Sequence, residues 1–354
     1  MEGRSSRLLS VAAAALVAGV AAIGTPSESP ARQSPSALPA VRCAADAVSP
    51  GRAGLDVHPR LEDRIMRQAD WWGGVYRTDA GEAIRVYVSD CYPADESRAR
   101  GWVDFLGSLV HGRELADLTL YVAPAGVVTR MCGDDALGCY FADDESIVLI
   151  GDEVELPDPL TVEQVLAHEY GHHVANHRSN SPWRAVAWGT KRWASFMEVC
   201  ARVREGSAGD RYDRYPAEAF AESYRVLSDR ARGVPFDWPL VDPSFAPRAK
   251  ALELVRLDVL VPWRATTVRL RTRLAAGRVA RFVVATPNDG TLTVRVAAAR
   301  GLRVGMTLVA PHADSSLARG ARRATTTICG TRRVLVEIHA VSGSGLVTLI
   351  LTKP

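Results

Sequence analysis

The stretch VLAHEYGHHVAN, residues 165–176, holds two histidines four places apart, with a glutamate directly after the first. At about 100° per residue, a helix sets His168 and His172 side by side, with Gly171 and Ala175 close by and Glu169 about 100° round the axis. Val162, Leu166, Tyr170 and Val174 fall together on the far side as an apolar stripe. The spacing therefore predicts a helix buried along one side and carrying chemistry along the other. Thr161, followed three residues later by Gln164, matches a capping box and places the helix start just after Pro157 and Pro159.

Neutral imidazoles paired on one helix face suit a tetrahedral zinc ion that leaves one position to water, and a neighbouring carboxylate suits the base that takes that water's proton. His168 and His172 are thus candidate zinc (Zn2+) ligands and Glu169 the candidate base. His173 and His177 lie on the apolar side and read as packing or surface histidines. A third histidine ten residues after the first would stand at position 178, which is Arg178, so the metzincin pattern is excluded. The third ligand must come from elsewhere. In YPAEAFAESY, residues 215–224, Glu218 and Glu222 again lie four apart, padded by Ala217, Ala219 and Ala221, with Phe220, Tyr224 and Leu227 opposite. Glu218 is the candidate third ligand. Glu222 is the candidate carboxylate that accepts the free N–H of a ligand histidine. Tyr212 and Tyr215, just ahead of this helix, are candidates to hydrogen-bond an oxyanion. Trp183, Trp188 and Trp193 are assigned to packing only.

Outside these two helices the chain divides by pattern. Arg4 and Arg7 precede an apolar run from Leu8 to Ile23, too short for a comfortable membrane span, so residues 1–24 read as a secretion signal, with a retained membrane anchor as the alternative. Residues 25–40 are rich in Pro, Ser and Ala and read as a disordered linker. Residues 41–262 mix helical patterns (59–72, 96–112, the motif helix, 182–230 with a break at GSAGDRYDRYP, and 246–258) with strand-like runs at 84–89, 118–123 and 146–150. Residues 263–354 alternate apolar and polar in about seven or eight short runs separated by Gly, Asn-Asp-Gly and Ser-Gly turns, the pattern of a small all-β sandwich.

The chain's 354 residues, 47% hydrophobic and 23% charged, suffice for two globular domains. The formal net charge is +3, and Lys and Arg are scattered among acids instead of forming a stripe, which makes no case for nucleic acid. The 6 cysteines, read with the export signal, point to disulfides. Cys132 and Cys139 bracket the turn-forming GDDALG and are the predicted pair; Cys43, Cys91, Cys200 and Cys329 leave three connectivities open.

With H-E-Y-G-H at 168–172 and E-A-F-A-E at 218–222, the chain resembles the gluzincin metallopeptidases, and most closely the minimal catalytic domain of lethal-factor-type toxin peptidases. The likeness covers roughly residues 146–230. It implies an α+β zincin-like metallopeptidase domain, with His168, His172 and Glu218 on zinc, Glu169 as base and Glu222 holding a ligand histidine. The family's tyrosine, about seven residues before the ligand glutamate, falls at Arg211, with Tyr212 one place on; the thermolysin-type asparagine before the ligand is Ala217. Residues 263–354 resemble the pre-peptidase C-terminal β-sandwich, which implies contact with surfaces such as the cell envelope. The expected function is a secreted zinc-dependent metallopeptidase acting on a protein or peptide substrate. The alternatives are a secreted or envelope-associated binding protein with a catalytically silent zincin fold, or a zinc hydrolase of non-peptide amides. Oligomeric state is not legible.

Overall fold

The computed structural model describes residues 70–133, 136–151, 160–310 and 316–354. The signal segment, the linker and the expected start of the folded chain near Val41 lie outside these residues, as does most of the helix expected at 59–72. The last two residues of that expected helix, Trp71 and Trp72, instead open strand β1 (Trp71–Arg77), which pairs antiparallel with β2 (Ala83–Ser89). Aromatic and β-branched side chains favour the pleated form there. Gly73 permits the close pairing: at φ +113°, an added Cβ would stand 2.3 Å from the Val86 carbonyl oxygen.

The N-terminal region is built on a five-stranded mixed sheet in the order β1-β2-β3-β5-β4, with β3 at Thr119–Ala123, β4 at Gly138–Phe141 and β5 at Ser146–Ile150. Strands β2, β3 and β5 run parallel, and β3 and β5 are buried on both faces, as their near-continuous apolar runs require. Helix α1 (Glu96–Ser108) starts on Asp95, whose carboxylate accepts the Ser97 N–H, and it stops short of the expected residue 112. Helix α2 (Ala125–Cys132) is joined to the edge strand β4 by the Cys132–Cys139 disulfide.

Helix α3 (Val162–Asn176) carries the first motif and begins on the capping box, with Thr161 and Gln164 satisfying each other's backbone N–H groups. After a two-stranded ribbon of β6 (Ser179–Asn180) and β7 (Trp183–Arg184), the stretch expected to be helical breaks into short pieces: α4 (Ala185–Trp188), α5 (Lys191–Phe196) and α6 (Val199–Glu205). Gly189 and Gly206, both at positive φ, close two of the pieces. Helix α7 (Pro216–Ala231) carries the second motif, and α8 (Ala249–Leu260) packs against α5 and α7. One apolar core, including Leu166, Tyr170, Val174, Phe220 and Tyr224, lies between these helices and the sheet.

The C-terminal region is all antiparallel. Its strands are β8 (Thr266–Ala275), β9 (Val279–Ala285), β10 (Gly290–Ala298), β11 (Arg303–Val309), β12 (Ser316–Gly320), β13 (Arg323–Ile328), β14 (Arg333–Ser342) and β15 (Ser344–Lys353). They form two four-stranded sheets, β13-β10-β15-β8 and β12-β11-β14-β9, over a separate core that includes Leu292, Val294, Val336, Ile338 and Leu349. One expectation is corrected here. Strand periodicity collects Arg269, Arg271 and Arg273 of β8 on one exposed side, so a basic stripe exists that linear order conceals.

The two regions are joined covalently and by hydrogen bonds. Cys200 of α6 is bonded to Cys329, across 129 residues of sequence. The Lys191 ammonium donates to the carbonyls of Ser181 and Asp289, and Ser195 Oγ accepts the Asp289 N–H. Among the described residues no cysteine is free, which suits an oxidising, extracellular environment. No helix among them is long and apolar enough to cross a membrane.

Candidate metal centre

Helices α3 and α7 pack closely because both are lined with small residues at the crossing. A Cβ on Gly171 would stand 2.8 Å from the Ala221 Cα and 3.0 Å from its carbonyl oxygen. Leu166 and Val174 on the other side of α3 are fully buried, each contributing about 1.5–3 kcal/mol. Pro216 at the first helical position sets the entry of α7, and Glu218 follows in its first turn, where the helix dipole favours a carboxylate.

This packing brings three side chains from two helices together. The donor atoms of His168, His172 and Glu218 all lie within 4.8 Å of one another. Glu218 Oε2 is 3.1 Å from His168 Nε2 and 3.5 Å from His172 Nε2. On the far edge of the His168 ring, Nδ1 is 3.1 Å from Glu222 Oε2. Glu222 is wholly buried and also takes two hydrogen bonds from Arg225, at 2.7 and 2.9 Å. Arg225 reaches on to Asp229, which accepts from the Gln164 side chain at 2.8 Å. A continuous polar chain therefore runs from His168 to the cap of α3. Arg225 and Asp229 are not distinguishable by sequence reasoning; only their i, i+3 and i, i+4 spacing from each other and from Glu222 hints at them.

The donor set fits a cation. With Nδ1–H given to Glu222, a neutral His168 turns the Nε2 lone pair toward the Glu218 carboxylate, and two acceptors at 3.1 Å repel unless something positive lies between them. Burial alone would lower the His168 pKa, but hydrogen bonds to Glu218 and Glu222 and the charges of Glu169 and Glu218 overcome it and push it up to about 10. Burial likewise works to raise the Glu218 carboxyl, and the two histidines hold it well below the usual range. Two imidazoles and one carboxylate are a donor set that zinc accepts.

Glu169 is buried beside this trio, its carboxylate taking the Tyr140 backbone N–H of β4. Burial raises its pKa, against the pull of His168 and His172. Tyr212 is 56% exposed, yet its hydroxyl is turned inward: burial of that end and the charges of Glu218 and Glu169 raise its pKa. Tyr215 is also raised, by burial and by Glu218. Both tyrosines line the same cleft of about 610 Å³ as His168, Glu169, His172 and Glu218, with Gly138, Cys139 and Tyr140 of β4 along one side.

The remaining histidines of the motif helix are turned away from the cleft. His173 is buried, its ring nitrogens 2.7 Å from the Glu114 carbonyl oxygen and 3.1 Å from the Tyr140 hydroxyl. His177 caps the helix, with Nε2 at 3.2 Å from Glu145. Trp193 is buried edge-on against Phe220, and Trp183 stacks on Trp188.

No family model matches the chain, and no curated protein matches it. Among solved structures, it is similar to PliG, a periplasmic inhibitor of g-type lysozyme from Aeromonas hydrophila, at 12% identity over 25% of this chain and 86% of that one, TM-score 0.22. It is also similar to the Yersinia pseudotuberculosis-derived mitogen, at 8% identity over 26% and 88%, TM-score 0.23. A third similarity is to the SPBc2 prophage-derived protein YomS, at 14% over 27% and 99%, TM-score 0.21. At such TM-scores these likenesses carry no argument about what the chain does.

Proposed function

We propose that the chain is a secreted zinc-dependent metallopeptidase of the gluzincin type, with residues 41–262 as its zincin-like catalytic domain. The observation that carries this reading is the convergence of His168, His172 and Glu218 from two helices, with Glu169 on the same cleft. His168, His172 and Glu218 would hold the ion. Zinc bound there supplies a Lewis acid that polarises a carbonyl and eases the ionisation of water near neutral pH.

The chain's own groups do the rest. Glu169 accepts a proton from the attacking water and later delivers it to the leaving amine. Tyr212, with its hydroxyl turned to Glu218, would donate to the oxyanion that forms on the substrate carbonyl. Glu222 holds the His168 ring in one orientation and tautomer. A peptide is favoured over a non-peptide amide because β4 borders the cleft and is an edge strand, whose outward backbone groups other than the Tyr140 N–H can pair with an extended chain.

The test is Glu169→Gln in the purified chain. Zinc should remain bound one to one while cleavage of an unstructured protein falls at least about a hundredfold, the scale of a lost general base. Undiminished cleavage would remove Glu169 from the role of base; a wild-type chain that retains no zinc would remove the metal reading.

A further inference from the structure

The sandwich holds a charge imbalance that the whole chain hides. Residues 263–354 carry 14 Arg and 1 Lys against 3 acidic residues, a net +12 within a chain whose total is +3. Two of the three acids are already engaged with arginines: Asp289 with Arg332, and Glu337 with Arg281. The surplus is concentrated on the sheet β13-β10-β15-β8, whose four strands contain no Asp or Glu and no aromatic residue.

Register arranges this face in rows. Arg269, Ile350, Arg295 and Arg323 stand opposite one another across all four strands. The adjacent row is Thr267, Thr352, Thr293 and Thr325. Along β8, Arg271 and Arg273 continue from Arg269 at intervals of about 7 Å. All five arginines are exposed, and no carboxylate among the described residues pairs with any of them. Arg295 directly faces Arg323, an apposition that weakens a sheet unless an anion relieves it. The other sheet does the opposite and sets Arg281 across from Glu337, 2.8 Å apart.

We propose that this arginine–threonine face docks on an anionic phospholipid surface, holding the extracellular chain at a membrane without insertion. Guanidinium groups take phosphate oxygens two at a time, and threonine hydroxyls supply further donors between them. The array extends in two dimensions, across four strands and along β8, which suits a planar bed of phosphates better than a single linear polymer. Without an aromatic residue on the face, bases have nothing to stack on, which argues against single-stranded nucleic acid. Binding through such a face is electrostatic and sensitive to salt.

The experiment is co-sedimentation of the full chain with vesicles of phosphatidylcholine alone or mixed equally with phosphatidylglycerol. The chain should pellet with the mixed vesicles, stay in solution with phosphatidylcholine, and be released by molar salt. The triple variant Arg269→Gln, Arg271→Gln, Arg273→Gln should bind about a hundredfold more weakly. Replacing the same three by Lys, which keeps the charge and loses the two-pronged grip, should bind more tightly than the glutamine triple and more weakly than the native chain, and a thermal melt reports whether either variant is folded. Arg303→Gln with Arg319→Gln, on the other sheet, should have little effect. The proposal is overturned by equal binding to both vesicle types, by an unaffected glutamine triple, or by equal loss in the opposite-sheet variant. Binding to a soluble anionic polysaccharide but not to vesicles also overturns it. None of these readouts depends on peptidase activity.

Discussion

Glu222 shows how much one buried carboxylate can carry. It meets His168 Nδ1 on one side and Arg225 on the other, with no exposure to water. Substituting Glu222→Gln keeps the shape but removes the charge that orients the imidazole, and it leaves Arg225 with one anion in place of two. Zinc affinity should fall about 10- to 100-fold, as measured by competition with a chelator. The unfolding free energy should fall by about 3 kcal/mol or more, because a buried guanidinium has lost half its neutralisation. At this scale the spacing of His168, Glu169, His172, Glu218 and Glu222 was legible, because each pair lies within one turn of its own helix. Arg225 and Asp229 were not. Their role depends on which helix comes to lie beside α7, and nothing local to residues 225–229 encodes that. Arg269, Arg271 and Arg273 were visible as letters and missed as a face, since their alignment with Arg295 and Arg323 depends on which strands pair, and alternation within one strand does not encode that.

The helices α3 and α7 are held at contact distance by the absence of side chains. Gly171 lowers the helix propensity of α3 by about 1 kcal/mol relative to alanine, so Gly171→Ala would stabilise an isolated helix. Here the added methyl would meet Ala221 Cα at 2.8 Å, and overpacking of this kind costs about 1–3 kcal/mol. The expected net outcome is a lower denaturation midpoint together with weaker zinc binding, because forcing the helices apart moves Glu218 away from both imidazoles. A stabilised variant with unchanged metal affinity would contradict the close-packing account. Among the elements, the capped α3 and the alternating strands of the sandwich were readable from periodicity. Strand β4 was hidden, being only Gly138–Phe141 and preceded by a turn-forming segment. The Gly73-Gly74 pair likewise masked β1, where the pairing needs one of those glycines.

Across the whole molecule, the sandwich is attached around Lys191 to the region that carries the candidate metal centre. This side chain is 1% exposed, its ammonium lying over the Trp263 ring and, further off, the Trp183 ring. Burial lowers its pKa to about 8, against the opposing charges of Asp289 and Asp258, from 10.5 in an unfolded chain. Between those values the unfolded chain binds more protons than the folded one, so the stability owed to this group rises as pH rises through the window. Relative to Lys191→Met, the native chain should gain at most about 1.4 kcal/mol per pH unit above roughly pH 8, read from denaturant midpoints. A constant difference between the two would show that the lysine does not titrate there. None of this contact was legible beforehand, since the cysteines left several pairings open and no local pattern links residue 191 to residue 289. The Cys200–Cys329 bridge has one more consequence. A bond spanning 129 residues cannot close until position 329 has been synthesised. The nascent chain therefore passes through a stage in which Cys200 of α6 is present without Cys329, and the N-terminal region is not yet bonded to the sandwich.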